Sequence, residues 1–315
     1  MTDYGAASGS SPDIQDAVDL ASSGDRVLIP SGEYNFIIDQ DINRINNGRA
    51  GVEIPGGITI IGDGVDSTIL NIPLDGWDND GSTGKHQVGF VGNGTNGDPI
   101  RLAHFTFNGS VDDSLGKEDT SPLSGVRLYG VTDFRVHHIN FNDFCSVGAM
   151  ASNNPVYSLT GNRGVIDHCN FDNPYKDTFL ATTGNIPYWA YGVIVNGNTT
   201  TGAWDADWKN FFGQYRHDIT FIEDCTFSSC RHAVAGSQWG YDVLRNSTLT
   251  EQIPANWSGM QDTHGGSQGF EMYDCNIINV YSDSRTFTDS DYWNRYIGMG
   301  ANTRGGFGLI YDNVF

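Results

Sequence analysis

Apolar and polar residues recur in one fixed order at seven places between Arg101 and Phe315. Each segment is apolar at its second and seventh positions and polar at its fourth, as in RLAHFTF, RVHHINF, VIDHCNF, FIEDCTF, VLRNSTL, EMYDCNI and LIYDNVF. These segments start at Arg101, Arg135, Val165, Phe221, Val243, Glu271 and Leu309. The pattern predicts short strands, and its repetition predicts that equivalent strands stack on one another.

The spacing of the seven segments distinguishes two repeat architectures. Their starts are separated by 34, 30, 56, 22, 28 and 38 residues. A parallel solenoid with one coil per repeat accommodates such insertions, whereas a propeller has a steadier period of about 40 to 45 residues. We therefore predict coils of two or three short strands, each pairing with the coil below at about 4.8 Å.

Three of the five cysteines, Cys169, Cys225 and Cys275, occupy the fifth position of the repeat. We predict that they are small buried side chains rather than redox centres or metal ligands. A disulfide between Cys225 and Cys275 would require Cα atoms within about 7 Å of each other.

The N-terminal segment SPDIQDAVDLASSGDRVLIPSGEY predicts a helix followed by a strand. Ser11 before Pro12 is a helix start, and the apolar residues at helical spacing share one face: Ile14, Ala17, Val18 and Ala21. We predict a capping helix over about residues 11–23, ended by Gly24, that covers the open end of the stack against edge pairing.

The order of DYGA, the capping helix, VLIPSGEY and GITIIGDG from Gly57 resembles the N-terminal part of the pectate-lyase-like superfamily. Over essentially the whole chain, the resemblance implies an all-β, right-handed parallel β-helix with an N-terminal capping helix and long loop insertions. It does not choose an activity, because the superfamily includes polysaccharide lyases, glycoside hydrolases, epimerases, fructotransferases and phage tailspikes. We expect one domain over residues 1–315, and we expect a C-terminal cap or a further domain to follow because Phe315 lies inside a repeat strand.

The charge and hydropathy of the chain limit the classes of binding partner that we expect. The chain has 38 acidic and 17 basic residues, a formal charge of −21, which disfavours nucleic acids and anionic membrane surfaces. Apolar runs are too short for membrane insertion. We expect an extracellular or cell-surface protein whose leader has been removed.

The longest gap between repeats predicts an aromatic insertion over about residues 172–216. Aromatic rings beside polar groups bind sugars by stacking on their C–H faces. The alternative is that these rings form a small core under a long loop. The candidate sugar-binding residues of the insertion are Lys176, Tyr188, Trp189, Trp204 and Trp208.

A second set of short strands follows the repeats: SVGAM, TFLAT, HAVAG, QDTHG and RTFTD, from Ser146, Thr178, His232, Gln261 and Arg285. If these strands stack in this alignment, one site gathers Asp177, Arg231, His232, Asp262, His264 and Arg285. Asp262 and His264 would point to the same side of their strand, and Gln238, Trp239 and Arg285 would contact substrate. DTHGG after CRHAV also resembles uncharacterised β-helix carbohydrate enzymes, among them an archaeal cell-surface disaggregatase catalytic domain.

Three functions fit this predicted site. A lyase that cleaves a uronate polysaccharide by β-elimination needs a base and a group that neutralises the carboxylate. The bases would be His232 or His264, the neutralising groups Arg231 or Arg285, and the acid Tyr241. An all-oxygen calcium site near Asp177 and Asp262 would also neutralise the carboxylate, although the chain contains no compact calcium-binding loop.

The alternatives are a glycoside hydrolase and a binding protein. A hydrolase needs two carboxyl groups, and its candidates are Asp177, Asp262, Glu271, Asp283 and Asp289. A non-catalytic tailspike or adhesin needs only the β-helix. We favour the lyase because His and Arg are scarce in the chain but cluster in these segments.

Overall fold

The computed structural model describes residues 1–37, 49–72, 87–94, 98–109, 123–142, 144, 147–152, 163–172, 191–196, 219–228, 230, 232–237, 240–251, 258–262, 269–279, 299–302 and 307–314. In chain order the elements are β1 (Asp3–Gly5), α1 (Ser11–Leu20), β2 (Arg26–Ile29), β3 (Gly32–Asn35), β4 (Arg49–Pro55), β5 (Thr59–Gly62), β6 (Thr68–Ile72), β7 (Gln87–Asn93), β8 (Arg101–Gly109), β9 (Leu123–Tyr129), β10 (Thr132–Asn142), β11 (Val147–Ser152), β12 (Arg163–Asp167), β13 (Asn170–Asp172), β14 (Tyr191–Asn196), β15 (Ile219–Glu223), β16 (Thr226–Ser228), β17 (His232–Ser237), β18 (Tyr241–Arg245), β19 (Thr248–Glu251), β20 (Ser258–Asp262), β21 (Gly269–Tyr273), β22 (Asn276–Asn279), β23 (Met299–Asn302) and β24 (Phe307–Tyr311).

The strands form three parallel faces that the chain visits in the same order in every coil. The first face runs β1-β2-β5-β8-β10-β12-β15-β18-β21-β24. The second face contains β3, β6, the C-terminal halves of β8 and β10, β13, β16, β19 and β22. The third face runs from β4 through β7, β9, β11, β14, β17 and β20 to β23.

Each strand pairs in parallel with its equivalent in the next coil, as Val136 does with Leu102 and with Ile166. Parallel strands of one sheet are joined by right-handed connections in about 98% of cases. The predicted right-handed parallel β-helix is confirmed.

The polar fourth position of the repeat is the corner between the first and second faces. All seven residues there have left-handed backbone, with φ between 49° and 65°. They are His104, His138, His168, Asp224, Asn246, Asp274 and Asp312. Asn, Asp and His are the non-glycine residues most enriched in this conformation, so the backbone of the corner explains the polar column.

The apolar positions of the repeat face the core, as predicted. The seventh position forms a ladder in which the rings of Phe141, Phe171 and Phe227 stack at centroid separations of 4.9 Å. The second position is buried from Leu102 to Met272, whereas Ile310, in the last strand of the first face, is 47% exposed.

The cysteines of the fifth position are buried free thiols, as predicted. Ser247 occupies this position in the coil between Cys225 and Cys275, and its Oγ accepts a hydrogen bond from the Cys225 amide at 3.1 Å. Two coil steps separate those cysteines by about 9.6 Å, which is too far for a disulfide.

The predicted helix begins where the sequence indicated and ends about three residues earlier. It begins at Ser11 with Ser10 as its N-cap, because the Ser10 Oγ accepts a hydrogen bond from the Asp13 amide. It ends at Leu20, and Ala21 is the C-cap. Ile14, Ala17 and Val18 are buried and belong to the same core as the first coil. Within the described residues, no helix is long and apolar enough to cross a membrane.

The third face agrees with the predicted second set of strands at SVGAM and HAVAG, which correspond to Val147–Ser152 and His232–Ser237. The strand of the fifth coil is Tyr191–Asn196, which lies inside the predicted aromatic insertion and not at TFLAT. The seventh coil uses Ser258–Asp262 rather than QDTHG, and the eighth coil uses Met299–Asn302 rather than RTFTD. Both TFLAT and RTFTD lie outside the described residues.

Candidate functional site on the outer side of the first face

Of the predicted site residues, the described part of the third face includes His232 and Asp262, and it does not place these two side by side. His232 begins β17, where it is in register with Tyr191 and Ser258. Asp262 ends β20 in register with Gly236, four residues further along the strand. This separation is about 13 Å along the strand direction, so the expected alignment of His232 with Asp262 is wrong.

His232 is 2% exposed. Its register position continues the column of Ser124 and Val147. Ser124 accepts a hydrogen bond from Nε of Arg127 at 3.4 Å, and both residues are buried. His232 therefore lies in a closed column of the third face.

Arg127 is a buried cation on this face that the sequence analysis missed. It is 8% exposed, and its Nη1 donates to the Tyr129 hydroxyl at 3.2 Å. Arg127 lies three strands before His232 in the order β9-β11-β14-β17, so about 14 Å separates their strands.

Most of the other predicted site residues lie outside the described part of the chain and stay predictions. They are Lys176, Asp177, Tyr188, Trp189, Trp204, Trp208, Arg231, Gln238, Trp239, His264 and Arg285. The calcium site near Asp177 and Asp262, which the sequence analysis named as an alternative way to neutralise the carboxylate, is equally untested.

Tyr241 lies on the outer side of the first face. It and Arg245 are half-buried, on the opposite side of β18 from the buried Asp242 and Leu244. The Tyr241 hydroxyl donates to Oε1 of Glu271 in the next coil at 2.7 Å. Burial, followed by the hydrogen bond and the negative charge of Glu271, raises the pKa of Tyr241, so the phenol stays protonated at neutral pH.

Arg245 links three coils on the same outer side. Its Nε donates to Oε2 of Glu223 at 2.6 Å, and its Nη1 donates to the Tyr273 hydroxyl at 2.9 Å. The guanidinium also lies 5.0 Å from the ring centroid of Phe221. The hydrogen bond with Tyr273 raises the pKa of Arg245; desolvation opposes this shift, and the contact with Glu223 adds to it. These contacts hold the guanidinium in one orientation.

Two aromatic rings extend the outer side toward the end of the stack. Tyr273 and Tyr311 are in register on β21 and β24, and their rings stack at 4.8 Å with an interplanar angle of 7°. Tyr311 is 43% exposed. A phenol, a carboxylate, a fixed cation and an accessible ring thus lie on neighbouring coils.

A cluster of imidazoles occupies the same side three coils earlier. The rings of His138 and His168 stack at 4.8 Å, and His104 and His137 lie against His138 with centroids 5.0 and 5.2 Å away. Asp167 accepts a two-point ion pair from Arg135, with both distances 2.8 Å, and its Oδ2 lies 2.9 Å from Nδ1 of His168.

The sequence analysis placed three of these histidines in a polar column but assigned them no chemistry. Burial opposes ionisation of Asp167, but the hydrogen bonds from Arg135 and His168 outweigh it and lower the pKa of that carboxyl. Burial and the positive charge of Arg135 lower the pKa of His137 to about 4. At neutral pH, His137 is therefore uncharged beside an ionised Asp167.

Comparison with known proteins yields only distant structural likeness. No family model and no curated protein matches the chain. Among solved structures it is similar to an alginate lyase from Paenibacillus sp. str. FPU-7, at 12% identity over 100% of this chain and 99% of that one, with a TM-score of 0.41. It is similar to the Agl-KA catalytic domain at 14% identity, over 98% of this chain and 54% of that one, with a TM-score of 0.48.

A pectin methylesterase from carrot gives 14% identity over 96% of this chain and 78% of that one, with a TM-score of 0.47. Likeness at these identities and scores carries no argument about the reaction. The resemblance to a disaggregatase stays a prediction.

Proposed function

We propose that the protein is a carbohydrate-active enzyme, a lyase that cleaves a uronate-containing polysaccharide bound along the outer side of the first face. The observation that carries this proposal is the grouping of Tyr241, Arg245 and Glu271 on two neighbouring coils, next to the stacked rings of Tyr273 and Tyr311. We expect the protein to act outside the cell or at the cell surface, where such polymers occur.

The coil spacing suits a polymeric ligand. Equivalent side chains repeat at about 4.8 Å along the stack, so the first face presents a regular row of polar and aromatic groups. The stacked rings of Tyr273 and Tyr311 lie beside these polar groups, and aromatic rings of this kind contact the C–H faces of sugars. Arg245, which is paired with Glu223, is the cation of this row on a chain with a net charge of −21.

The reaction needs three groups. A base removes the proton alpha to the uronate carboxylate, and the electron pair of that C–H bond forms the new double bond. The bond to the 4-linked oxygen breaks, and this oxygen takes a proton from an acid. A cation beside the carboxylate stabilises the negative charge that develops.

We assign the cation to Arg245 and the acid to Tyr241, whose proton Glu271 orients. The base is assigned to His264, as the sequence predicted. His232 is a weaker candidate because it is 2% exposed, and a substrate would have to enter a closed part of the third face to reach it.

The first experiment incubates the purified chain with a panel of acidic and neutral polysaccharides. Ultraviolet absorbance should rise, because β-elimination leaves an unsaturated uronate. New reducing ends without this rise would identify a hydrolase and contradict the lyase. If the protein binds a glycan of the panel but cleaves none of them, this result would instead favour a non-catalytic binding protein.

Variants test the assigned roles. Tyr241→Phe should lower kcat by about 100-fold or more, the usual contribution of a general acid, with KM little changed. Tyr34→Phe is the matched control, because the Tyr34 hydroxyl binds the Ser31 carbonyl in the first coil. Equal kcat values in the two variants would show that Tyr241 is not the general acid of the reaction.

A further inference from the structure

We propose that His104, His137 and His138 form a binding site for a divalent transition-metal ion such as Zn²⁺. One ligand nitrogen of each ring lies within 4.8 Å of the others. The site lies on the outer corner between the third and fourth coils, about four coil steps from Tyr241, and it does not depend on the proposed polysaccharide chemistry.

The left-handed corner brings neighbouring side chains together. His137 and His138 are adjacent in sequence, and in a regular strand their side chains would point to opposite sides. The φ of 52° at His138 breaks this alternation, and the two Nδ1 atoms lie 3.0 Å apart. His104 has the same conformation, with a φ of 65°, one coil below, so its ring completes the group.

One edge of the nitrogen triangle matches a tetrahedral ion. With Zn–N bonds of 2.0–2.1 Å, two ligands of a tetrahedral site are about 3.3 Å apart. The distance of 3.0 Å between the Nδ1 atoms of His137 and His138 is close to this edge. His138 is exposed while His104 and His137 are half-buried, so an ion held by the three rings would keep its fourth position toward solvent.

The donor set selects the kind of ion. Neutral imidazole binds Zn²⁺, Co²⁺, Ni²⁺ and Cu²⁺, whereas Ca²⁺ and Mg²⁺ require oxygen ligands. The Nδ1 atoms of His137 and His138 face each other at 3.0 Å, and one ion can replace the proton that they would otherwise share.

The surrounding charges are compatible with a bound cation. Arg135 is the nearest cation, and the Asp167 carboxylate neutralises it through two hydrogen bonds. Asp167 also contacts His168, whose ring stacks on His138. This stack fixes the plane of the His138 ring, a role that outer-shell partners commonly have in metal sites.

The backbone requirement of the corner does not explain the whole cluster. Left-handed φ favours His, Asp or Asn at positions 104 and 138, but His137 precedes the corner and is not among the residues with positive φ. Its equivalents in the adjacent coils are Ala103 and Asp167. The third imidazole is therefore an addition that the fold does not need.

The test titrates Zn²⁺ into the untagged chain after removal of metal with a chelator, using isothermal titration calorimetry. We expect about one Zn²⁺ per chain at this site, and Co²⁺ should give the intense visible absorption of a tetrahedral site. Ca²⁺ should not displace either ion.

Two variants and a control locate the ion. His138→Asn keeps a residue that accepts left-handed φ, and His137→Gln changes a position with ordinary backbone. Each should weaken Zn²⁺ binding by at least about tenfold, with an unchanged thermal midpoint. Asp274→Asn is the control: it changes a corner residue with the same left-handed backbone, φ 53°, four coils away, and this variant should bind Zn²⁺ with little change.

Absence of Zn²⁺ binding by the wild-type chain would overturn the proposal. Binding that both ligand variants retain would overturn it as well. Because calorimetry uses no polysaccharide, these outcomes are independent of the cleavage assay.

Discussion

Seven corner residues hold backbone conformations that most side chains do not accept. For L-residues other than glycine, left-handed φ costs roughly 1–2 kcal/mol, and Asn and Asp reduce this cost through short polar side chains that bond locally. The first and second faces meet at these residues in every coil from His104 to Asp312. Side-chain identity at one position per coil therefore sets the angle between two faces.

Substitution of Asn246 tests this assignment. Its φ is 49°, so Asn246→Val should lower the free energy of unfolding by about 1–3 kcal/mol, measured by urea denaturation. Asn246→Gly should change it by less than about 1 kcal/mol, because glycine accepts left-handed φ.

The matched control for that pair is Asn276→Val. Asn276 is an exposed strand residue of β22 without positive φ, and valine is favoured in strands. We expect a change within about 0.5 kcal/mol. An equal loss at Asn246 and Asn276 would contradict the backbone explanation.

At the scale of elements, the strands are held by side-chain ladders that run across the coils. Phe141, Phe171 and Phe227 stack with interplanar angles of 4°, and the ladder continues as Leu249 and Ile277. Because each ring contacts the coil above and the coil below, one side chain contributes to two interfaces.

Truncation within the ladder should therefore be costly. Phe171→Ala should lower the free energy of unfolding by about 3–5 kcal/mol, since it leaves a cavity between two rings. Phe171→Leu should cost less than about 2 kcal/mol, because the same ladder accommodates Leu249.

Ile278→Ala is the control for the ladder. Ile278 is 40% exposed on β22, so its loss should cost less than about 1 kcal/mol. Urea denaturation monitored by circular dichroism measures all three variants. If Phe171→Ala and Ile278→Ala lower the free energy of unfolding by similar amounts, the stacked phenylalanine ladder does not stabilise the fold more than an exposed strand residue does.

At the scale of the whole molecule, the first coil exposes strand edges that must be protected from pairing with other chains. The first face starts with β1 and the third face with β4, and strand edges of this kind template pairing with other chains. Helix α1 packs against β1, β2 and β4, with Ile14 completely buried and Leu20 70% exposed.

Two substitutions in α1 separate capping from a general change of charge. Ile14→Asp buries an unpaired carboxylate and should detach the helix from the first coil. Size-exclusion chromatography with light scattering should then detect self-association. Leu20→Asp adds the same charge at an exposed position and should remain like the wild type. Unchanged association in Ile14→Asp would contradict a protective role for α1.

The repeat and the fold were readable from the sequence for a physical reason. In a stack of coils, equivalent residues meet the same neighbours, so the core requirement returns at every turn and appears as aligned columns. The apolar second and seventh positions, the buried Cys169, Cys225 and Cys275, and the helix near Ile14 were predicted on this basis. The helix begins at Ser11 as predicted and ends at Leu20, ahead of the predicted end near residue 23.

The sequence alone determined the parallel solenoid, because the burial pattern repeats along the chain; the right-handed β-helix was what the resemblance of the N-terminal segments implied. The register of the third face was decided by tertiary structure. Insertions of unequal length precede those strands, and pairing in register puts Asp262 beside Gly236 instead of His232. The tertiary structure also decided which side chains meet: His137 and His138 face each other because the backbone at the corner is left-handed.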